Sequence, residues 1–95
     1  MIYTDPSTFA PVFRERMATV QRPLLLTHIN PDGDAIGSLL GMWHALRLMG
    51  KEPAAVATPP IPGYTLWLPG MDHVHVYRRG DALPPCDMII LLDTA

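Results

Sequence analysis

Apolar side chains recur at three- and four-residue steps at Phe9, Val12, Phe13, Met17 and Val20, which predicts an amphipathic helix over 7–20. Ser7 or Thr8 would cap it, Pro11 would still lie in its first turn, and Arg14, Glu15 and Arg16 would form its polar face. After Pro23, the run Leu24-Leu25-Leu26-Thr27-His28 is apolar on both faces and too short for a helix. That is the pattern of a central parallel strand, and it stops at Asn30-Pro31. From 35 to 49 the stripe of Ile36, Leu39, Leu40, Trp43, Leu46 and Met49 predicts a second helix, with Gly50 at its C′ position. Residues 53–58 then predict a second strand, giving a strand-helix-strand unit whose crossover is nearly always right-handed. A short helix over 62–68 would carry Tyr64 and Trp67 and close at Pro69-Gly70, followed by a weak strand over 74–77. The run Met88-Ile89-Ile90-Leu91-Leu92 predicts a strong buried strand with Asp93 at its carboxyl end.

Ligands of parallel sheets gather outside the carboxyl ends of the strands, and both His28 and Asp93 fall at such ends. Between the first strand and the second helix, His28, Asp32 and Asp34 are held within seven residues on a tight loop. Apart from Arg22, no lysine or arginine lies within ten residues of Asp32. Asp32 and Asp34 meeting Asp93 there would make three carboxylates that repel one another unless a cation sat between them, and a divalent metal satisfies that need. Imidazole mixed with carboxylate suits Mn²⁺, Fe²⁺ or Zn²⁺ better than Ca²⁺ or Mg²⁺. Asn30, Asp32 and Asp34 also have the alternate spacing of a calcium loop, but Pro31, Ala35 and Gly41 stand where that loop needs other residues. Taken one at a time, these residues have plainer uses: Asn-Pro and Asp-Gly form turns, Asp34 could cap a helix, and His28 could end a strand. Their joint placement, with a second apolar strand ending in Asp93, favours the metal.

Composition narrows the function. Hydrophobic residues make up 48% and charged residues 17%, the balance of a chain that folds around one small core. A net charge of −2 argues against a broad basic nucleic-acid patch, so an anionic substrate would need its positive charge from elsewhere. The single cysteine, Cys86, excludes an intrachain disulfide. With no apolar run long enough for a bilayer and no signal-peptide pattern, a cytoplasmic protein that does not meet a membrane is expected. Eleven prolines, clustered around 53–69 and 84–85, mark connections. His44, His73 and His75 read as surface or packing residues, and Arg78-Arg79 as a surface pair.

The stretch His28-x-Asn30-Pro31-Asp32-Gly33-Asp34-Ala35-Ile36-Gly37-Ser38 resembles the first motif of the DHH-family phosphoesterases. Ile89-Ile90-Leu91-Leu92-Asp93-Thr94-Ala95 resembles their second motif, and Leu68-Pro69-Gly70 the segment before it. Gly33 through Ser38, with Leu40-Gly41, looks most like the bifunctional oligoribonuclease/pAp phosphatase (nanoRNase) branch. The resemblance runs from Leu24 onward and implies the N-terminal part of a Rossmann-like, three-layer α/β/α domain built on a parallel sheet. It implies that His28 and Asp32 hold one metal, that Asp34 holds a second and that Asp93 bridges both. Mn²⁺ is the leading metal, with Mg²⁺, Co²⁺ or Zn²⁺ as alternatives. The implied reaction is hydrolysis of phosphodiesters or phosphomonoesters in short single-stranded RNA or DNA or in small nucleotides, by hydroxide activated between two ions roughly 3.5–4 Å apart. Cyclic dinucleotide hydrolysis, pyrophosphate hydrolysis and non-catalytic nucleotide or metal binding are the alternatives. The Asp-His-His motif and the glycine-rich substrate domain of the family are not among these 95 residues. A segment inactive by itself, and able to form a homodimer through an unpaired sheet edge, is therefore expected.

Overall fold

The computed structural model describes residues 2–93 and places four parallel strands in one sheet with flanking helices, an α/β fold. Helix α1 spans Pro6–Met17, strand β1 Pro23–Leu26, helix α2 Gly33–Leu48, β2 Ala54–Ala57, β3 Val74–Val76 and β4 Met88–Leu91. The strand order is β3-β2-β1-β4, and every neighbouring pair is parallel. Chain order therefore runs outward in one direction from β1 through β2 to β3, and then jumps back to β4 on the other side of β1. The sheet reverses between β1 and β4.

Register settles which side chains share a face. Leu25 stands opposite Ala55 and Ile90, and Ala55 opposite Val74. Leu25, Ala55, Ala57 and Val74 join one core cluster with Ile36, Leu39, Leu40, Trp43 and Leu46 of α2 and with Met17 and Val20 from α1 and the turn after it. The other face presents Leu24, Leu26, Val56, Ile89 and Leu91 by strand alternation. Because β3 and β4 lie at opposite edges, residues 77–87 must return across the sheet. Their ends are pinned: Tyr77 N–H donates to the Ala57 carbonyl, and the Asp87 carboxylate accepts from the backbone N–H of Gln21 and of Arg22, each at 2.8 Å.

Besides shifts of one or two residues at the ends of β1, α2, β2 and β4, five details differ from the sequence expectation. Asp5, not Ser7 or Thr8, caps α1 by accepting from Ser7 N–H at 3.0 Å, so the helix begins at Pro6 and Pro11 lies in its interior rather than its first turn. The helix stops at Met17 instead of running on to Val20, although Val20 still packs into the core. Only Gly63–Thr65 of the expected helix over 62–68 is helical, as a single 3₁₀ turn. The third strand ends at Val76 rather than at 77. Strand β4 is not buried on both faces: Ile89 and Leu91 are exposed, because β4 occupies an edge of the sheet and an apolar run buries only the face that another layer covers. Gly50 takes φ +81, the left-handed conformation expected just past the end of α2. Thr94 and Ala95, which complete the second motif, lie outside the described residues.

Candidate metal centre

The reversal between β1 and β4 creates the crevice in which open parallel sheets place their ligands. Two of the four candidate side chains come from the strand ends that flank it. His28 follows β1 and Asp93 follows β4, and the backbone bond from Leu92 N–H to the Leu26 carbonyl, 2.8 Å, carries the pairing of the two strands up to the site. His28 Nε2 then stands 3.5 Å from Asp93 Oδ2. Asp93 adopts φ 51 and Asn30 φ 58. Both are in the left-handed region, which Asn and Asp tolerate better than other side chains and which concentrates at functional sites.

The third side chain comes from the loop. Pro31 is buried and seats the turn, after which Asp32 caps α2: its Oδ1 accepts from Ala35 N–H at 2.8 Å. The cap uses one carboxylate oxygen and leaves the other for a ligand. One ligand atom each from His28, Asp32 and Asp93 lie within 4.8 Å of one another, and they form the only such group among the described residues. Bonds of roughly 2.0–2.2 Å put neighbouring donors of a tetrahedral ion about 3.4 Å apart, so a pair at the full 4.8 Å would have to close by roughly an ångström or more for all three to bind one ion.

The histidine is set for this role. Its Nδ1 lies 2.9 Å from the Ile29 carbonyl, so with Nδ1–H as donor Nε2 is left facing the carboxylates. The Ile29 carbonyl raises the His28 pKa above its ordinary value, with the Asp93 and Asp32 charges adding to it and partial desolvation opposing it. An imidazole, two carboxylates and no ammonium or guanidinium among them form a donor set that fits a divalent transition ion.

Asp34 does not join the three. It is exposed in the first turn of α2, where its charge favours the helix N-terminus. The remaining histidines have local partners: His44 Nε2–H faces the Pro69 carbonyl at 2.9 Å, His73 stacks on Trp43 with centroids 4.8 Å apart, and His75 pairs with Asp81 at 3.1 Å. Cys86 is exposed and free. Tyr64 was the neighbour that sequence reading missed. A Cβ placed on Gly33 would lie 3.1 Å from its ring, a proximity that no spacing along the chain announces.

No family model matches the chain, and no solved structure matches it significantly. Over 82 residues, 85% of its length, the chain is 39% identical to the bifunctional oligoribonuclease and PAP phosphatase NrnA of Thermus thermophilus. It spans 24%, about a quarter, of that relative. No helix among the described residues is long and apolar enough to cross a membrane.

Proposed function

We propose that this chain is the N-terminal part of the catalytic domain of a DHH-type phosphoesterase, a metal-dependent hydrolase of short single-stranded oligonucleotides or small nucleotides such as pAp. The observation that carries the reading is the convergence of His28, Asp32 and Asp93 at the sheet's reversal point. The likeness to a protein named as an oligoribonuclease and PAP phosphatase supports the substrate class. The protein is read as cytoplasmic.

His28 and Asp32 would hold the first ion, with Asp93 between it and a second that Asp34 helps to hold; manganese suits the mixed donor set. Such ions supply the positive charge that offsets phosphoryl oxygens and makes the attacking water more acidic. The chain's own residues orient that chemistry. The Ile29 carbonyl fixes the His28 ring, the Ala35 amide fixes one oxygen of Asp32, and the Leu92–Leu26 backbone bond holds Asp93 beside the histidine. This arrangement accounts for an anionic substrate on a protein with net charge −2.

The test uses the full-length natural protein carrying this segment, given Mn²⁺ and a short RNA. Mononucleotides should accumulate, and Asp34→Ala should abolish them; hydrolysis undiminished in that variant would remove the reading. The 95-residue segment by itself should turn over weakly or not at all, since a second ion would have only Asp34 and Asp93.

A further inference from the structure

We propose that Tyr64 is a stacking platform for a nucleobase beside the His28–Asp32–Asp93 site. The inference rests on the phosphoesterase reading and deepens it by saying which part of the substrate this chain grips without metal. Its starting point is a close approach. A Cβ on Gly33 would fall 3.1 Å from both Cε2 and Oη of Tyr64, so the ring lies against the one residue between Asp32 and Asp34. Any side chain at position 33 would press on the ring, and glycine is what lets it close on the loop.

The backbone beneath the ring is fixed while the ring stays open. Thr65 is buried, its hydroxyl donates to the Pro62 carbonyl at 2.6 Å and its N–H to the same carbonyl at 3.0 Å, and Leu66 N–H donates to the Gly63 carbonyl. Yet Tyr64 is 66% exposed, and Trp67, three residues on, is 75% exposed. Trp67 lies just past the 3₁₀ turn, so a second exposed aromatic side chain follows Tyr64 in the same short segment.

Charge decides what this surface would take. Asp32, Asp34 and Asp93 face a phosphoester with negative charge, and apart from Arg22 no lysine or arginine lies within ten residues of Asp32. An uncharged contact would add substrate affinity to what the ions supply. A ring face beside the scissile phosphate is such a contact. It accepts any base, and it favours single strands, whose bases are free to leave the stack.

Two ligands that differ only by the base test this. The full-length protein with Mn²⁺ is titrated calorimetrically with adenosine 5′-monophosphate and with ribose 5-phosphate. The wild type should prefer the nucleotide, and Tyr64→Ala should lose about tenfold of that preference with ribose 5-phosphate binding unchanged. Tyr64→Phe should keep it, and Tyr64→Leu, which retains apolar bulk without a π face, should not. Equal weakening of both ligands in Tyr64→Ala, or an intact preference in Tyr64→Leu, would overturn the platform. Failure of the enzymatic reading shows separately, as absent RNA hydrolysis by the wild type whatever the calorimetric preference.

Discussion

His28 Nε2 and Asp93 Oδ2 stand 3.5 Å apart although 65 positions separate them in sequence, because β1 and β4 are neighbours in the sheet and end level with each other. The pair marks the point where strand order reverses. Asp32 reaches the same point only because it also begins α2, so three elements that form for reasons of packing and capping converge on one donor set.

Removing a donor should therefore weaken the first ion. In Mn²⁺ titrations of the chain followed by electron paramagnetic resonance, His28→Ala and Asp93→Asn should each lower affinity tenfold or more. Asp34→Ala, which lies outside the cluster, should leave the tightest site within about twofold of wild type. An Asp34→Ala loss as large as that of His28→Ala would place the first ion elsewhere.

Protons and metal compete for His28. Its pKa is raised chiefly by the Ile29 carbonyl and further by Asp93 and Asp32. In the metal-free chain, the stability from protonated His28 is fully present below the unfolded-state pKa and disappears as pH rises through the raised folded-state value. Metal binding runs the other way and should strengthen over that same upward interval, since Nε2 must shed its proton to become a ligand. An NMR titration of the His28 ring should show the raised pKa, and Mn²⁺ affinity measured across the neutral range should climb with the fraction deprotonated. Affinity that is flat with pH would mean that His28 is not a ligand.

Asp32 has two functions that substitution can separate. Asparagine caps helices about as well as aspartate, so Asp32→Asn should leave the denaturation midpoint nearly unchanged while removing the charge that attracts metal. Asp32→Ala should lose the metal and also about 1 kcal/mol of stability, the ordinary worth of an N-cap. Equal stability loss in both variants, measured by urea denaturation without metal, would show that charge rather than capping holds the start of α2.

The elements and the site were legible in the sequence to different degrees. Strands β1 and β2 and helix α2 were readable because Leu24–Leu26, the Ile36–Leu46 stripe and Gly50 combine period with punctuation. The meeting of His28 and Asp93 was readable only as two strand ends, since nothing local states which strands are neighbours. The Asp5 cap was hidden because Ser7 and Thr8 offer the same chemistry two and three residues later. Burial of Ile89 and Leu91 was misread because an apolar run shows what a strand could bury, and the layer that would bury it belongs to other parts of the fold. Tyr64 against Gly33 lacked any signal, being a contact between a loop and a helix start 31 residues apart.

Strand β4 sets the behaviour of the chain at high concentration. Among the described residues it pairs only with β1, so one row of its backbone groups has no ladder partner, and Ile89 and Leu91 are 58% and 61% exposed beside that row. An open edge lined by apolar side chains is a template for another strand. The 95-residue chain should therefore show concentration-dependent association in sedimentation velocity. Ile89→Lys and Leu91→Lys, alone or together, should reduce it by putting charge beside the edge, while the thermal midpoint of each single variant shifts little, as for most exposed positions. A wild type that stays monomeric across the accessible concentration range would show that the return segment over 77–87 already shields the edge. Association undiminished in the double variant would move the contact to another surface, of which the groove between α1 and α2, lined by Phe9, Phe13, Met42 and Met49, is the next to probe.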